Sequence, residues 1–306
     1  MLHIHNGESV LTVARRANLP GEHTAFRDTL VVGPIPQTDW TETRARFLSE
    51  SYGENLLRVR NELLQQQRMI DVAAGHDEVV LWFEHDLFCL VNFLYLLTKL
   101  AAHRRLTVVW SDQPIGGRDE GELELLFESR RAVTPHMLAA AQRAWAAYAS
   151  PDPLPLNELL GEESDFPFLR SGLALHAARF PSTRNGLGSI EARSLEIVAN
   201  GANDFIKIFD LFNTDEPRYG LGDAQLYRML WTLANVAAPM LAMTKRQADA
   251  PAKALFALTP AGEKVLAAEA DYLDLNGTDF WLGGAHLANG KVWRWDGRKI
   301  VQGAAR

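Results

Sequence analysis

Apolar and polar positions follow two rhythms along this chain, and each change of rhythm marks an element boundary. The clearest change lies in residues 79–97, VVLWFEHDLFCLVNFLYLL, where an unbroken apolar run meets Glu84-His85-Asp86 and then a long apolar helical pattern. A short run of β-branched and aromatic residues predicts a strand over residues 78–83 that is covered on both faces, followed by a helix over 87–103. The run LTVVW predicts a second such strand, ending in Ser111-Asp112. Upstream, Leu2-His3-Ile4-His5 alternates and breaks at Asn6-Gly7, with Ser9 placed to cap a helix reaching residue 18. A strand over 22–27 delivers Asp28, Leu30-Val31-Val32 runs into Gly33-Pro34, and helical spacing covers 41–50 and 55–73. Strand alternating with helix predicts a parallel sheet with right-handed crossovers, and so a Rossmann-like α/β domain over residues 1–125.

Residues 126–187 read as a helical bridge and linker, interrupted by Pro151-Asp152-Pro153 and closed by the turn-rich run 181–188. From 188 to 306 come helical patterns at 189–200, 203–212 and 223–236, extended segments at 239–243 and 255–258, and a helix at 260–270 started by Thr259-Pro260. Three helices, a hairpin and a helix predict a mostly helical, winged-helix-like domain. Asn289-Gly290 is the strongest short hairpin signal, between two short extended runs.

Charge and composition narrow the picture. The net charge of -7 divides into 18 Lys+Arg against 24 Asp+Glu in residues 1–188 and 13 against 14 in residues 189–306. Neither part is the basic body that neutralises many phosphates, so nucleic acid is not the expected partner. No apolar run reaches membrane-spanning length, the start lacks a signal-peptide pattern, and the single cysteine fits a reducing compartment, so a cytoplasmic location is expected. Cys89 itself reads as a buried core thiol.

The candidate chemistry gathers at the carboxyl ends of the expected strands, where open α/β sheets hold ligands. Glu84 and Asp86, with Asp28 from the neighbouring strand, could hold a divalent cation or serve as acid–base groups, and Asp86 could equally cap the following helix. His85 or His5 could move protons. The turn Asn6-Gly7 with Ser9 offers backbone N–H groups to an anion. Arg27 could clamp a carboxylate or phosphate, while Gly33 and Asp112 lie on the same expected rim; Arg60 is expected in water. In the last third, Gln225, Tyr227 and Arg228 lie on the one helix placed to read DNA, yet it carries a single cation. Docking or homodimer formation is the better-supported use of that helix.

The segments LHIHNGES, FRDTLVVGPIP and LWFEHDLFCLVNFLYLL together resemble a bacterial family described as domain of unknown function "eighteen thirty-five", over residues 1–125. From about Gly188, LGDAQLYRMLWTL and ALTPAGEKVL resemble its usual partner domain. The resemblance implies a bacterial, cytoplasmic protein, and it supplies no activity. By motif it carries over Gly7, Ser9, Asp28, Gly33, Pro34, Glu84 and Asp86; His3 and His5 match the motif less closely, since some members hold an apolar residue at the position of His5. The expectation is a crevice for an anionic small molecule, a nucleotide or phosphorylated metabolite. The function is either metal-assisted hydrolysis or transfer, or non-enzymatic sensing coupled to the winged-helix-like domain.

Overall fold

The computed structural model describes residues 1–164, 166–244, 251–288, 290 and 292–303. The chain divides into two compact units, Met1–Ser150 with Gly161–Gly172, and Pro151–Leu160 with Leu173–Arg306.

The first unit is mixed α/β. In chain order it holds β1 (Leu2–Asn6), α1 (Glu8–Ala14), β2 (Glu22–Phe26), α2 (Trp40–Tyr52), α3 (Leu56–Ala73), β3 (Val79–Glu84), α4 (Leu87–Lys99), β4 (Leu106–Ser111), α5 (Glu120–Glu128), β5 (Arg131–Ala132) and α6 (Pro135–Tyr148). The sheet order is β2-β1-β3-β4-β5, parallel except for the β4–β5 pair. In register, His5 stands beside Trp82, and Glu84 beside Ser111. Chain order reverses direction across the sheet between β1 and β3.

Both faces of β3 are covered, which is why its sequence is continuously apolar. On one face Trp82 and Val80 join Val10, Ala14, Val109, Ile115 and Leu123. On the other, Phe83 stacks on Phe93 of α4, with ring centroids 5.1 Å apart. Nearly every side chain of α4 from Leu87 to Leu97 is buried, because the helix lies between the sheet and α6. A buried helix reads apolar all round.

Local chemistry sets several boundaries differently from expectation. Gly7, not Ser9, occupies the first cap: its φ of 89° with ψ of 173° is open to glycine, no side chain caps α1, and the helix ends at Ala14. Leu30-Val31-Val32 forms a turn, and the Arg44 guanidinium gathers the carbonyls of Thr29, Val32 and Pro34 around it.

After α7 (Leu156–Gly161) and α8 (Leu169–Ala178), the second unit continues with α9 (Ser189–Ala199), α10 (Phe205–Asp215) and α11 (Asp223–Ala234). A hairpin of β6 (Leu241–Thr244) and β7 (Leu255–Leu258) follows, then α12 (Pro260–Leu266) and α13 (Tyr272–Asn276). Two further antiparallel pairs close the chain, β8 (Asp279–Leu282) with β9 (Ala285–Ala288), and β10 (Val292–Trp295) with β11 (Ile300–Gly303). The expected Asn289-Gly290 turn includes Asn289, which lies outside the described residues; the strands flanking it pair with other strands, not with each other.

Candidate functional site

The chain order reverses between β1 and β3, and in open α/β sheets ligands bind at the carboxyl ends of the strands beside such a reversal. Alternation along β3 puts Glu84 on the Trp82 face, and its carboxylate accepts the Ile115 N–H at 2.8 Å from the loop after β4. Asp86 follows in extended conformation and caps α4, accepting the Cys89 N–H at 2.7 Å. One ligand atom each from Glu84, Asp86 and Cys89 fall within 4.8 Å of one another. The sequence reading of Cys89 as a buried thiol is correct, but it sits against the acids, not apart from them.

Burial dominates the electrostatics here. It raises the Asp86 carboxyl to about 7, with the neighbouring Glu84 charge adding to the effect and the Cys89 N–H opposing it. It raises Glu84 as well, against backbone hydrogen bonds from Ile115 and Gly116 and the nearby Arg118 charge. The Cys89 thiol is pushed far up by burial and then by the two acids. Near neutral pH the Asp86 carboxyl is held short of full ionisation by its burial, beside a Glu84 charge that repels it. A divalent cation or a shared proton relieves the same repulsion.

Asp28 does not join them. Its carboxylate is buried against Arg44, with Nη2 at 2.6 Å, and Arg44 also reaches the carbonyls of Val32 (2.7 Å), Thr29 (2.9 Å) and Pro34 (3.2 Å). The expected trio of Asp28, Glu84 and Asp86 around one cation is therefore corrected to Glu84 and Asp86 beside Cys89. A fully buried aspartate must be matched by charge, and Arg44 supplies it.

A polar chain connects the two groups. Asn6 donates to Cys89 Sγ at 2.9 Å; Asn92 donates to Asn6 Oδ1 at 2.8 Å and to the Asp28 carbonyl at 3.0 Å. Asn6 is thus a supporting residue beneath the acids.

The histidines go elsewhere. His5 is fully buried and shares a hydrogen bond with His23 at 3.0 Å, while His3 accepts from Trp82 Nε1 at 3.1 Å and contacts the Pro20 carbonyl at 2.9 Å. The three rings stack within 8° of parallel, and burial lowers His3 to about 4 and His5 far below its usual value. Their nitrogen atoms come within 4.8 Å, but near-parallel stacked rings do not aim at one ion. At neutral pH they are uncharged. His85 stacks on Phe168 with ring centroids 5.6 Å apart and lies tilted against Trp110 at 5.2 Å, so its ring joins an aromatic wall.

The remaining predicted residues spread over the rim. Ser9 is exposed, and a Cβ placed on Gly116 would lie 3.6 Å from its Oγ, so the loop after β4 runs between Ser9 and Glu84. The Gly7 N–H is already bonded to the carbonyls of His5 and Phe26, and Arg27 is paired with Glu8. Gly33 serves the fold: its φ is 75° and a Cβ there would fall 2.2 Å from the Phe47 ring. Asp112 is exposed beyond β4, and Arg60 faces water beside Glu42.

Sequence reasoning missed Arg44, His23 and Asn92. Asn92 left a signal, a lone amide inside an apolar helix; Arg44 left none, for TETRARF reads as a surface helix. No family model matches the chain, and no curated protein matches it.

Proposed function

We propose that the first unit is Rossmann-like and binds an anionic small molecule, a nucleotide or phosphorylated metabolite, in the crevice between the ends of β1 and β3. The ligand is held through a divalent cation carried by Glu84 and Asp86. The reaction class this supports is metal-assisted hydrolysis or group transfer, with Asp86 the group best poised to exchange a proton.

The observation that carries the reading is half-buried Glu84 standing beside buried Asp86, with Asp86 raised to about 7. A titratable pair held in mutual repulsion at a switch-point crevice is costly to the fold, and such groups concentrate at functional sites. The rim also favours an intermediary. Arg27 is tied to Glu8, and the acids repel a bare anion, whereas a cation bridges carboxylate and phosphate oxygens. Two oxygens with room for substrate suit Mg²⁺ or Mn²⁺; adding the Cys89 sulfur would suit Zn²⁺.

Calorimetric titration of the full chain with each of these ions tests the proposal. Binding that is lost in Asp86→Asn and Glu84→Gln supports it; no heat with any ion, or binding unchanged in both variants, removes the metal-assisted version.

A second reading rests on the order of the second unit, α9, α10, α11, the β6–β7 hairpin and α12, which supports a winged-helix-like module. On α11, Arg228 lies over the exposed Trp231 ring at 4.9 Å, the one cation–aromatic pair on that helix among the described residues. This alternative is a ligand-sensing regulator that docks DNA or a partner protein through α11. Salt-dependent DNA retention lost in Arg228→Ala would favour it, and no retention at low salt removes the DNA form.

A further inference from the structure

The second unit carries a cavity of about 570 Å³ that plays no part in the proposal above. Its lining includes Thr183, Arg184, Glu269, Asp274, Arg294 and the strand β11. Two separate observations point to what it holds.

The first is the hydrogen-bonding edge of β11. Trp295 and Ile300 face each other in the β10–β11 pair, yet their main-chain groups turn outward. Trp295 donates to the Pro181 carbonyl and accepts from the Thr183 N–H, each at 2.9 Å. Ile300 donates to Asn157 Oδ1 and accepts from Asn157 Nδ2, each at 2.8 Å, so the Asn157 amide imitates one peptide unit of a neighbouring strand. Main-chain direction repeats every second residue, which turns the Gln302 N–H and C=O to the same open edge. No partner for either is found among the described residues, and Gln302 lines the cavity.

The second is charge. Arg294 and Asp271 neutralise each other through bonds of 2.6 and 3.0 Å. That leaves Glu269 and Asp274 against Arg184, all three exposed and with no ion pair among the described residues. The balance is an excess of negative charge beside an open main-chain donor and acceptor. A cavity of this size suits a ligand of a few residues.

We infer that this cavity binds an extended peptide segment carrying a basic side chain. Its main chain pairs with Gln302 in continuation of the Asn157 amide, and its basic side chain is taken by Glu269 and Asp274. This is strand addition with a charge-selective pocket.

The test uses the ¹⁵N-labelled full chain and three capped tetrapeptides: one with a central lysine, its glutamate counterpart, and the lysine peptide N-methylated at the residue to be paired. The expected result is that the lysine peptide shifts the amides of Val301, Gln302 and Gly303. The other two peptides, and the lysine peptide on the Glu269→Gln/Asp274→Asn chain, bind about tenfold more weakly or worse. Because both substituted residues are exposed, folding is not at risk, and the peptide comparison stands without the variant. No amide shift at millimolar peptide, equal binding of lysine and glutamate peptides, or indifference to N-methylation would each overturn the inference.

Discussion

Asn92 donates to the Asn6 Oδ1 at 2.8 Å, and by that one bond the acids at the end of β3 share a buried polar chain with the Asp28–Arg44 pair. Asn92 has a shape-matched apolar replacement, leucine. Asn92→Leu would leave Asn6 Oδ1, the Asp28 carbonyl and the Leu30 N–H without their present partner. Each buried group so abandoned costs about 1–3 kcal/mol. Urea unfolding should show a loss of at least that size, and cation binding should weaken because Asn6 no longer holds Cys89 in place.

Asp28 and Arg44 make a second, separable prediction. Removing one partner leaves a buried charge, so Arg44→Met alone should cost about 3–5 kcal/mol, whereas Arg44→Met with Asp28→Leu should recover a good part of it. Recovery in the double variant, measured by denaturant unfolding, would place Asp28 in the fold's interior chemistry and outside the cation site. Retained cation binding in that double variant is expected for the same reason.

Stability should respond to pH through two opposing groups. Asp86 is raised from 3.8 to about 7, so between those values the folded chain keeps a proton that the unfolded chain has lost. Its contribution therefore falls as pH rises through that window. The stacked histidines work the other way. His3 is lowered from 6.5 to about 4, so the unfolded chain takes up a proton the folded one refuses, and stability falls as pH drops below 6.5. Asp86→Asn keeps the α4 cap while removing the first slope; His3→Gln keeps an acceptor for Trp82 while weakening the second. Unfolding free energies from pH 4.5 to 8 separate them, and a pH profile unaltered by both variants would contradict these assignments.

Gly33 offers a purely steric test. Alanine there must adopt a φ of 75° and meet the Phe47 ring at 2.2 Å, so Gly33→Ala should destabilise by roughly 2–4 kcal/mol. Adding Phe47→Leu should relieve the clash but not the backbone strain, and thermal unfolding of the pair reads the difference.

Much of the fold was legible because burial writes itself into sequence. The runs VVLWF and LTVVW announce strands covered on both faces, and β3 and β4 lie where those runs are. Asp86 at the junction of strand and helix was readable from local capping chemistry alone. The identity of Asp28's partner was not, because it depends on which helix folds over the Leu30–Val32 turn. Nothing in the spacing of Arg44 distinguishes a buried guanidinium from a solvated one. His23 was hidden for a similar reason: it meets His3 only through the β1–β2 register, and registers between parallel strands are set by packing across many residues. The expected helix cap at Ser9 failed because Gly7, with a positive φ, already turns the chain.

The proposed cation site requires Glu84 and Asp86 to act as one strained pair that a proton or a divalent cation relaxes. The most direct measurement follows the ¹³C resonance of the Asp86 carboxyl against pH, with and without Mg²⁺ or Zn²⁺. The expected result is a midpoint near 7 in the free protein that moves down when the cation is added. A midpoint near 4 in the free protein, or one that no cation moves, would contradict it.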